Sequence, residues 1–397
     1  MLSNRQLFLS HIAQTSPAPM LLELVRAEGI YLYDTQDKAY IDLISGFAVS
    51  NIGHSHPKVL EAVRTQTEKY MHLMVYGEVV QTPQVLYAKA LTDHLPKHLN
   101  TVYFTNSGAE ATEGAMKLAK RVTGRSQFVH FRNSYHGSTQ GALSVMGDEY
   151  FKQSFRPLLP DILMLEYNNS EQLSAISEKT AAVLIDPVQA ESGATVPSTE
   201  FMLALRKRCD ATGTLLIMDE AQTGFGRTGK LWGFQHFDCE PDILLLAKAI
   251  GGGMPLGAFI ASQEHMHTLT ENPVLGHITT FGGHPVSCAS GLAAFNVLLE
   301  ENLIATVESK GQLFESLLNE NQHIKSIRRK GLMMALEFEN AELNQKIVHQ
   351  CVKNGLVTDW FLFAPHCLRI CPPLPISPTQ IEVACLLLLK SIAEITN

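Results

Sequence analysis

Short apolar runs and helically spaced stretches alternate along the middle of the chain. The runs fall at residues 101–104, 127–131, 162–165, 182–185, 215–218, 243–246 and 257–260, with helical spacing between several of them, as at 109–122 and 200–212. Runs this short, apolar at successive positions, suit strands covered on both faces. Strand–helix alternation predicts an α/β fold with a mostly parallel central sheet and helices on both sides. After about residue 285 the pattern changes. A long helical stretch at 286–301 leads into strand-like residues 327–338, a rigid turn at Cys371-Pro-Pro-Leu-Pro375 and a last helix over about 378–395. Residues 1–45 carry a hairpin pattern (Ile30-Tyr-Leu-Tyr33, Ala39-Tyr-Ile-Asp42) suited to joining this second unit. The expected division is a large domain over 46–285 and a smaller α+β domain made from the two termini, 1–45 and 286–397.

With 397 residues, 45% of them hydrophobic and 18% charged, the chain has the length and composition for two packed domains. A net charge of -8 and the lack of any Lys/Arg block argue against nucleic acid or a membrane surface as partner. No apolar run approaches the ~20 residues of a membrane span. The seven cysteines are an odd number, scattered, with no C-x-x-C spacing. They read as reduced thiols of a cytoplasmic protein, without a metal site.

Two run ends carry chemistry. Leu244-Leu-Leu-Ala-Lys248 delivers a lysine just before Gly251-Gly-Gly253, and Leu215-Leu-Ile-Met-Asp219-Glu220 ends in an acid pair. Burial disfavours the charged form of a lysine, and a neutral amine condenses with an aldehyde to a Schiff base. An aspartate at a strand end can hold positive charge on a ring nitrogen. Pyridoxal 5'-phosphate (PLP) needs both groups. Taken singly, each has an ordinary reading: a solvated loop lysine, and a capping or metal-binding acid pair.

Further segments add to the pair. Asn106-Ser107-Gly108-Ala109 follows a strand and opens a helix, where free N–H groups and the helix dipole face an anion; the same residues also suit a plain N-cap. Tyr135-His136-Gly137 ends the next strand, and Tyr135 can stack on a flat ring. Ala221 can touch the other ring face, and Gln222 the ring's phenolic oxygen. Gly224-Phe-Gly226-Arg-Thr-Gly229 matches a dinucleotide fingerprint, but no helical pattern opens there, so nucleotide binding is not expected.

Together these segments resemble the class III PLP-dependent aminotransferases of the ornithine/acetylornithine type. Gly53-His-Ser-His-Pro57, Asp186-Pro-Val-Gln-Ala-Glu191-Ser-Gly193, Thr280-Phe-Gly-Gly283 and Arg369-Ile-Cys-Pro-Pro-Leu374 extend the likeness over nearly the whole chain. The resemblance implies fold type I and a homodimer with sites at its interface. It implies Lys248 as Schiff-base lysine and proton carrier, with Asp219 on the pyridine nitrogen. Ser107, Gly108 and Ala109 then hold the phosphate with Thr280 of the partner subunit, while Tyr135, His136, Ala221 and Gln222 surround the ring. Arg369 is implied as the carboxylate site, with Glu191 pairing it when an amine lacks that carboxylate. The implied reaction moves an amino group from an ω-amino substrate to 2-oxoglutarate. The alternatives are pyruvate as acceptor, or an aminomutase of the same fold.

Four positions depart from the family pattern. Ser138 stands where ornithine-type members carry an arginine for the distal carboxylate, and Phe47 where they carry a tyrosine. Both make the outer pocket less polar. His284 replaces an asparagine, and Asp186 and Ala190 replace glutamate and glycine around Gln189.

Overall fold

The computed structural model describes residues 2–396. All seven apolar runs enter one sheet. Its order across is Thr101–Thr105, Gly257–Ala261, Ile243–Leu246, Leu215–Asp219, Thr180–Ile185, Gln127–Phe131 and Ile162–Leu165. Neighbours from Ile243–Leu246 onward pair parallel. Only Gly257–Ala261 runs antiparallel to both its neighbours. Every residue of Thr180–Ile185 and Leu215–Asp219 is buried, as expected of strands covered on both faces.

The helical stretches appear as Gly108–Thr123 and Thr199–Thr212. Each starts on a serine N-cap, Ser107 or Ser198, and stops at a left-handed glycine, Gly124 or Gly213. The N-terminal strands Leu24–Glu28, Tyr31–Asp34 and Ala39–Asp42 form an antiparallel run, and Ile41 pairs in parallel with Leu356 near the other end of the chain. A second small sheet joins Ser326–Lys330, Met333–Glu337, Ala364–Ile370 and Trp360–Phe361. The last helix is Pro378–Thr396. This is the α/β architecture of fold type I: a mostly parallel central sheet with smaller sheets built from the two termini.

The segment that imitates a dinucleotide fingerprint has a different task. Arg227 is fully buried there, and its guanidinium donates to the carbonyls of Leu332 and Pro372, to Ser45 Oγ and to Asn51 Oδ1. One side chain thus ties both terminal segments to the loop after the Asp219 strand. No helix opens at Gly224–Gly229.

Helix Pro285–Glu300 packs on helices Pro57–Lys69 and Thr82–Thr92 and against the turn that carries Lys248. The approach is close at Gly291, where an added Cβ would stand 2.1 Å from the Ile250 carbonyl oxygen and 2.6 Å from the Tyr87 ring. Tyr87 donates to that same oxygen at 2.7 Å. In an open helix a Gly→Ala change gains roughly 1 kcal/mol. Here overpacking reverses the sign: Gly291→Ala is expected to lower stability by about 1–3 kcal/mol, read by denaturant unfolding. An unchanged or raised midpoint would contradict this packing.

Candidate active site

A cavity of about 680 Å³ opens at the carboxyl ends of the central strands. Open parallel sheets place ligands at this edge. Many of the positions singled out above line it, among them Ser107, Gly108, Ala109, Tyr135, His136, Ser138, Asp186, Asp219, Ala221, Gln222 and Lys248. Phe47 and Glu191 line an adjoining outer chamber, which shares Tyr135, Ser138, Gln222 and Lys248 with the cavity. Arg369 lies behind that chamber, bonded to Glu191. Thr280 stands exposed and lines neither space.

Lys248 begins a tight turn directly after strand Ile243–Leu246, with φ 57. A non-glycine residue in the left-handed region stores strain of about 1–3 kcal/mol, and such residues cluster at functional sites. Burial pushes its ammonium below the ordinary lysine range, against the pull of Glu191, Asp219 and Asp186. The amine is thereby shifted toward its neutral, nucleophilic form.

Asp219 closes its strand with both carboxylate oxygens engaged. His136 Nδ1 donates to Oδ2 at 2.8 Å, and the Ala221 N–H donates to Oδ1 at 2.9 Å. Burial opposes a charged His136, but Asp186 and Asp219 outweigh it and raise its pKa. The pair is thus a carboxylate fixed by an imidazole that favours its proton. Gly137, at φ 127, lets this loop close on the helix Gly108–Thr123: a Cβ there would stand 2.6 Å from that of Ala109. Ser107 caps the helix by accepting from the Glu110 N–H. Its capping role and an anion-binding role are compatible, since the N–H groups of Gly108 and Ala109 lie at the cavity.

The residues fit PLP on a direct observation. Gln222 Nε2 donates to Glu191 at 2.9 Å, which leaves its buried Oε1 without a partner. An orphaned acceptor at a cavity wall awaits a donor from a ligand.

Arg369 is buried, and its Nη2 donates to Glu191 Oε2 at 3.0 Å. Burial works against the Glu191 carboxylate, yet Arg369 beside it holds its pKa down at about 2. Phe47 sits in a run of left-handed residues, Ser45 to Ala48, with its ring 4.9 Å from the Arg369 guanidinium carbon.

The structure adds residues that the sequence did not signal. Leu143, Met146, Phe151, Phe155 and Leu362 form the wall of the outer chamber. Residues 143–155 fall in the end of a five-residue helix, Gln140–Ser144, and two single-turn 3-10 helices, Glu149–Phe151 and Gln153–Phe155, all too short to show a period in the sequence. Asp359 donates nothing but accepts from Arg369 Nε at 2.9 Å. Its position ten residues before Arg369, across a hairpin, was the one available clue.

Comparison with known proteins gives the same picture. Residues 12–392 match the family described as aminotransferase class-III. Acetylornithine aminotransferase from Methanopyrus kandleri is 40% identical over 378 residues, 94% of this chain and 93% of the relative. The ornithine aminotransferase of Toxoplasma gondii superposes with a TM-score of 0.91 at 26% identity, over 99% of this chain and 96% of that one. An amine transaminase from an uncultivated Pseudomonas species, solved in its PLP-bound form, gives 0.88 at 27% identity over 97% and 98%.

The Glu191–Arg369 pair makes a pH-dependent contribution with a definite sign. The folded pKa of Glu191 lies below its ordinary 4.5, so its contribution is complete above that pH and is lost as pH falls toward 2. Glu191→Gln is expected to lower stability at neutral pH by roughly 3 kcal/mol. The gap to wild type narrows on acidification, as read by denaturant titration across that range. A gap independent of pH would contradict the assignment.

Proposed function

The chain belongs to the class III aminotransferases, which are PLP-dependent transaminases, and we propose that it moves the amino group of an ω-amino substrate to an oxo acid, with 2-oxoglutarate as the leading acceptor. One observation carries this reading: the half-buried Lys248 shares a cavity with the His136-anchored Asp219 and the N-terminus of helix Gly108–Thr123. When bound, PLP supplies a sink for the electron pair left as a proton leaves the carbon beside the substrate nitrogen.

The chain's own residues do the rest. The Lys248 Nζ takes and returns that proton, for which a depressed amine pKa is suited. Asp219 holds positive charge at the ring nitrogen, and His136 keeps its carboxylate aligned. Ser107, Gly108 and Ala109 bind the phosphate. Tyr135 and Ala221 would cover the two ring faces, and the free Oε1 of Gln222 would accept from a phenolic hydroxyl. Arg369 forks a substrate carboxylate, and Glu191 takes its place when an amine has none.

Thr280 is assigned to the neighbouring site of a homodimer. Its exposure supports this, as do the exposed apolar side chains next to it in the chain, Ile278 at 56% and Phe281 at 54%. The division at about residues 45 and 285 is part of the same proposal, supported by the pairing of Ile41 with Leu356. Among the described residues no helix is long and apolar enough to cross a membrane, and all seven cysteines are free and buried. The free thiols support a cytoplasmic location.

The outer chamber favours a second reading for the acceptor. Its far wall is Leu143, Met146, Phe151, Phe155 and Leu362, and Lys248 is the one cation among its lining residues. Ser138, exposed and bonded to the Tyr135 hydroxyl at 3.1 Å, offers no charge to a second carboxylate. Pyruvate, which has none, fits this wall.

Lys248→Ala is expected to abolish turnover while the protein still binds PLP noncovalently; turnover at the wild-type rate would sink the mechanism. Kinetics of wild type and Ser138→Arg with 2-oxoglutarate and pyruvate separate the acceptors. If the chamber sets acceptor choice, the added arginine lowers the KM for 2-oxoglutarate tenfold or more and leaves that for pyruvate nearly unchanged. Equal changes for both acids would contradict this role of the chamber.

A further inference from the structure

The Arg369 guanidinium is held by two acids, on different edges. Glu191 occupies the Nη1–Nη2 fork, at 3.3 and 3.0 Å. Asp359 occupies Nε, at 2.9 Å. The rings of Phe361 and Phe47 lie 4.1 and 4.9 Å from the guanidinium carbon. The two acids differ in where they are anchored. Asp359 is locked to the strand that bears Arg369: the Arg369 N–H donates to the Asp359 carbonyl at 2.9 Å, Thr358 Oγ1 donates to the Arg369 carbonyl at 2.6 Å, and Trp360 pairs with Leu368. Glu191 comes from a separate loop, accepts also from the Leu362 N–H at 3.1 Å and from Gln222 Nε2 at 2.9 Å, and borders the outer chamber where a ligand can reach it.

We propose that Asp359 is a positioning residue of the carboxylate site: from the Nε edge it holds the Arg369 fork toward the chamber and sets the net negative charge that an incoming carboxylate meets. This rests on the reading that Arg369 receives a substrate carboxylate. When Glu191 yields the fork, Asp359 stays, so the buried guanidinium is never left without a counter-ion or free to turn. Arg369, Glu191 and Asp359 together carry one negative charge when both acids are ionised. A carboxylate entering the chamber adds a second, whereas an ammonium group entering it is favoured. Burial raises the Asp359 pKa to about 6 against the pull of Arg369, so the carboxylate is still largely ionised at neutral pH. The next acid, Asp42, is engaged by His54 at 2.7 Å.

Asn and Ala at this position separate geometry from charge. Asp359→Asn keeps an oxygen to accept from Nε and removes the charge, whereas Asp359→Ala removes both. The probe is pentanoate, a carboxylate with an apolar arm, titrated calorimetrically into the PLP-loaded protein, with Arg369→Ala as the control. The expected result is opposite shifts: about fivefold to tenfold tighter binding for Asp359→Asn, from one charge removed at close range, and several-fold weaker binding than wild type for Asp359→Ala. A residue that merely supports the fold would move both variants the same way. If Arg369→Ala abolishes binding but both Asp359 variants shift together, or neither shifts, the inference fails alone. If Arg369→Ala binds as wild type does, or wild type does not bind pentanoate, the carboxylate-site reading fails and takes the inference with it.

Discussion

The site depends on one constraint: Lys248 is a partly desolvated amine among acids that would otherwise hold it charged. Glu191, Asp219 and Asp186 all favour the ammonium, and burial, helped by the positive charge of Arg369, outweighs them. The fold supplies that burial. Strand Ile243–Leu246 brings the lysine to the sheet edge, the left-handed turn aims it into the cavity, and helix Pro285–Glu300 closes on the turn from behind. The strain at Lys248 is sustained because its neighbours Ala249, Ile250 and Gly251 are buried and leave the backbone no other course.

Around this amine, charges are fixed in pairs whose members come from distant parts of the chain. Asp219 stands at the end of a strand and His136 in the loop after another, and Glu191 and Arg369 lie on a loop and a C-terminal hairpin. A buried charge without a partner is costly, so each pair constrains two segments at once. Arg227 does the same without a carboxylate, through carbonyl, hydroxyl and amide oxygens. The cavity is therefore held by polar contacts that reach both termini as well as by the sheet beneath it.

The central sheet was legible because its strands are buried on both faces and so read as unbroken apolar runs; Thr180–Ile185 is the clearest case. Lys248 and Asp219 were legible because each interrupts such a run at its end. The outer chamber was not, since Leu143, Met146, Phe151 and Phe155 come from helical pieces of three to five residues and the link between them, too short to show a period, and only tertiary folding gathers them. Asp359 was hidden for a related reason: its meaning lies in the hairpin pairing that sets it against Arg369. Helix Asn4–His11 gave little signal because it buries none of its residues within this chain. Arg227 sat inside a misleading glycine pattern, and only its fully buried side chain reveals the role.

The central claim is that Lys248, desolvated and lining the same cavity as Asp219, is the lysine of this chain that engages the aldehyde of PLP. Borohydride reduction of the PLP-loaded protein, followed by peptide mapping, tests it most directly. The account predicts that the cofactor is locked onto the peptide containing Lys248 and onto no other. Label on a different lysine, such as the buried Lys152, or no label at all, would contradict it.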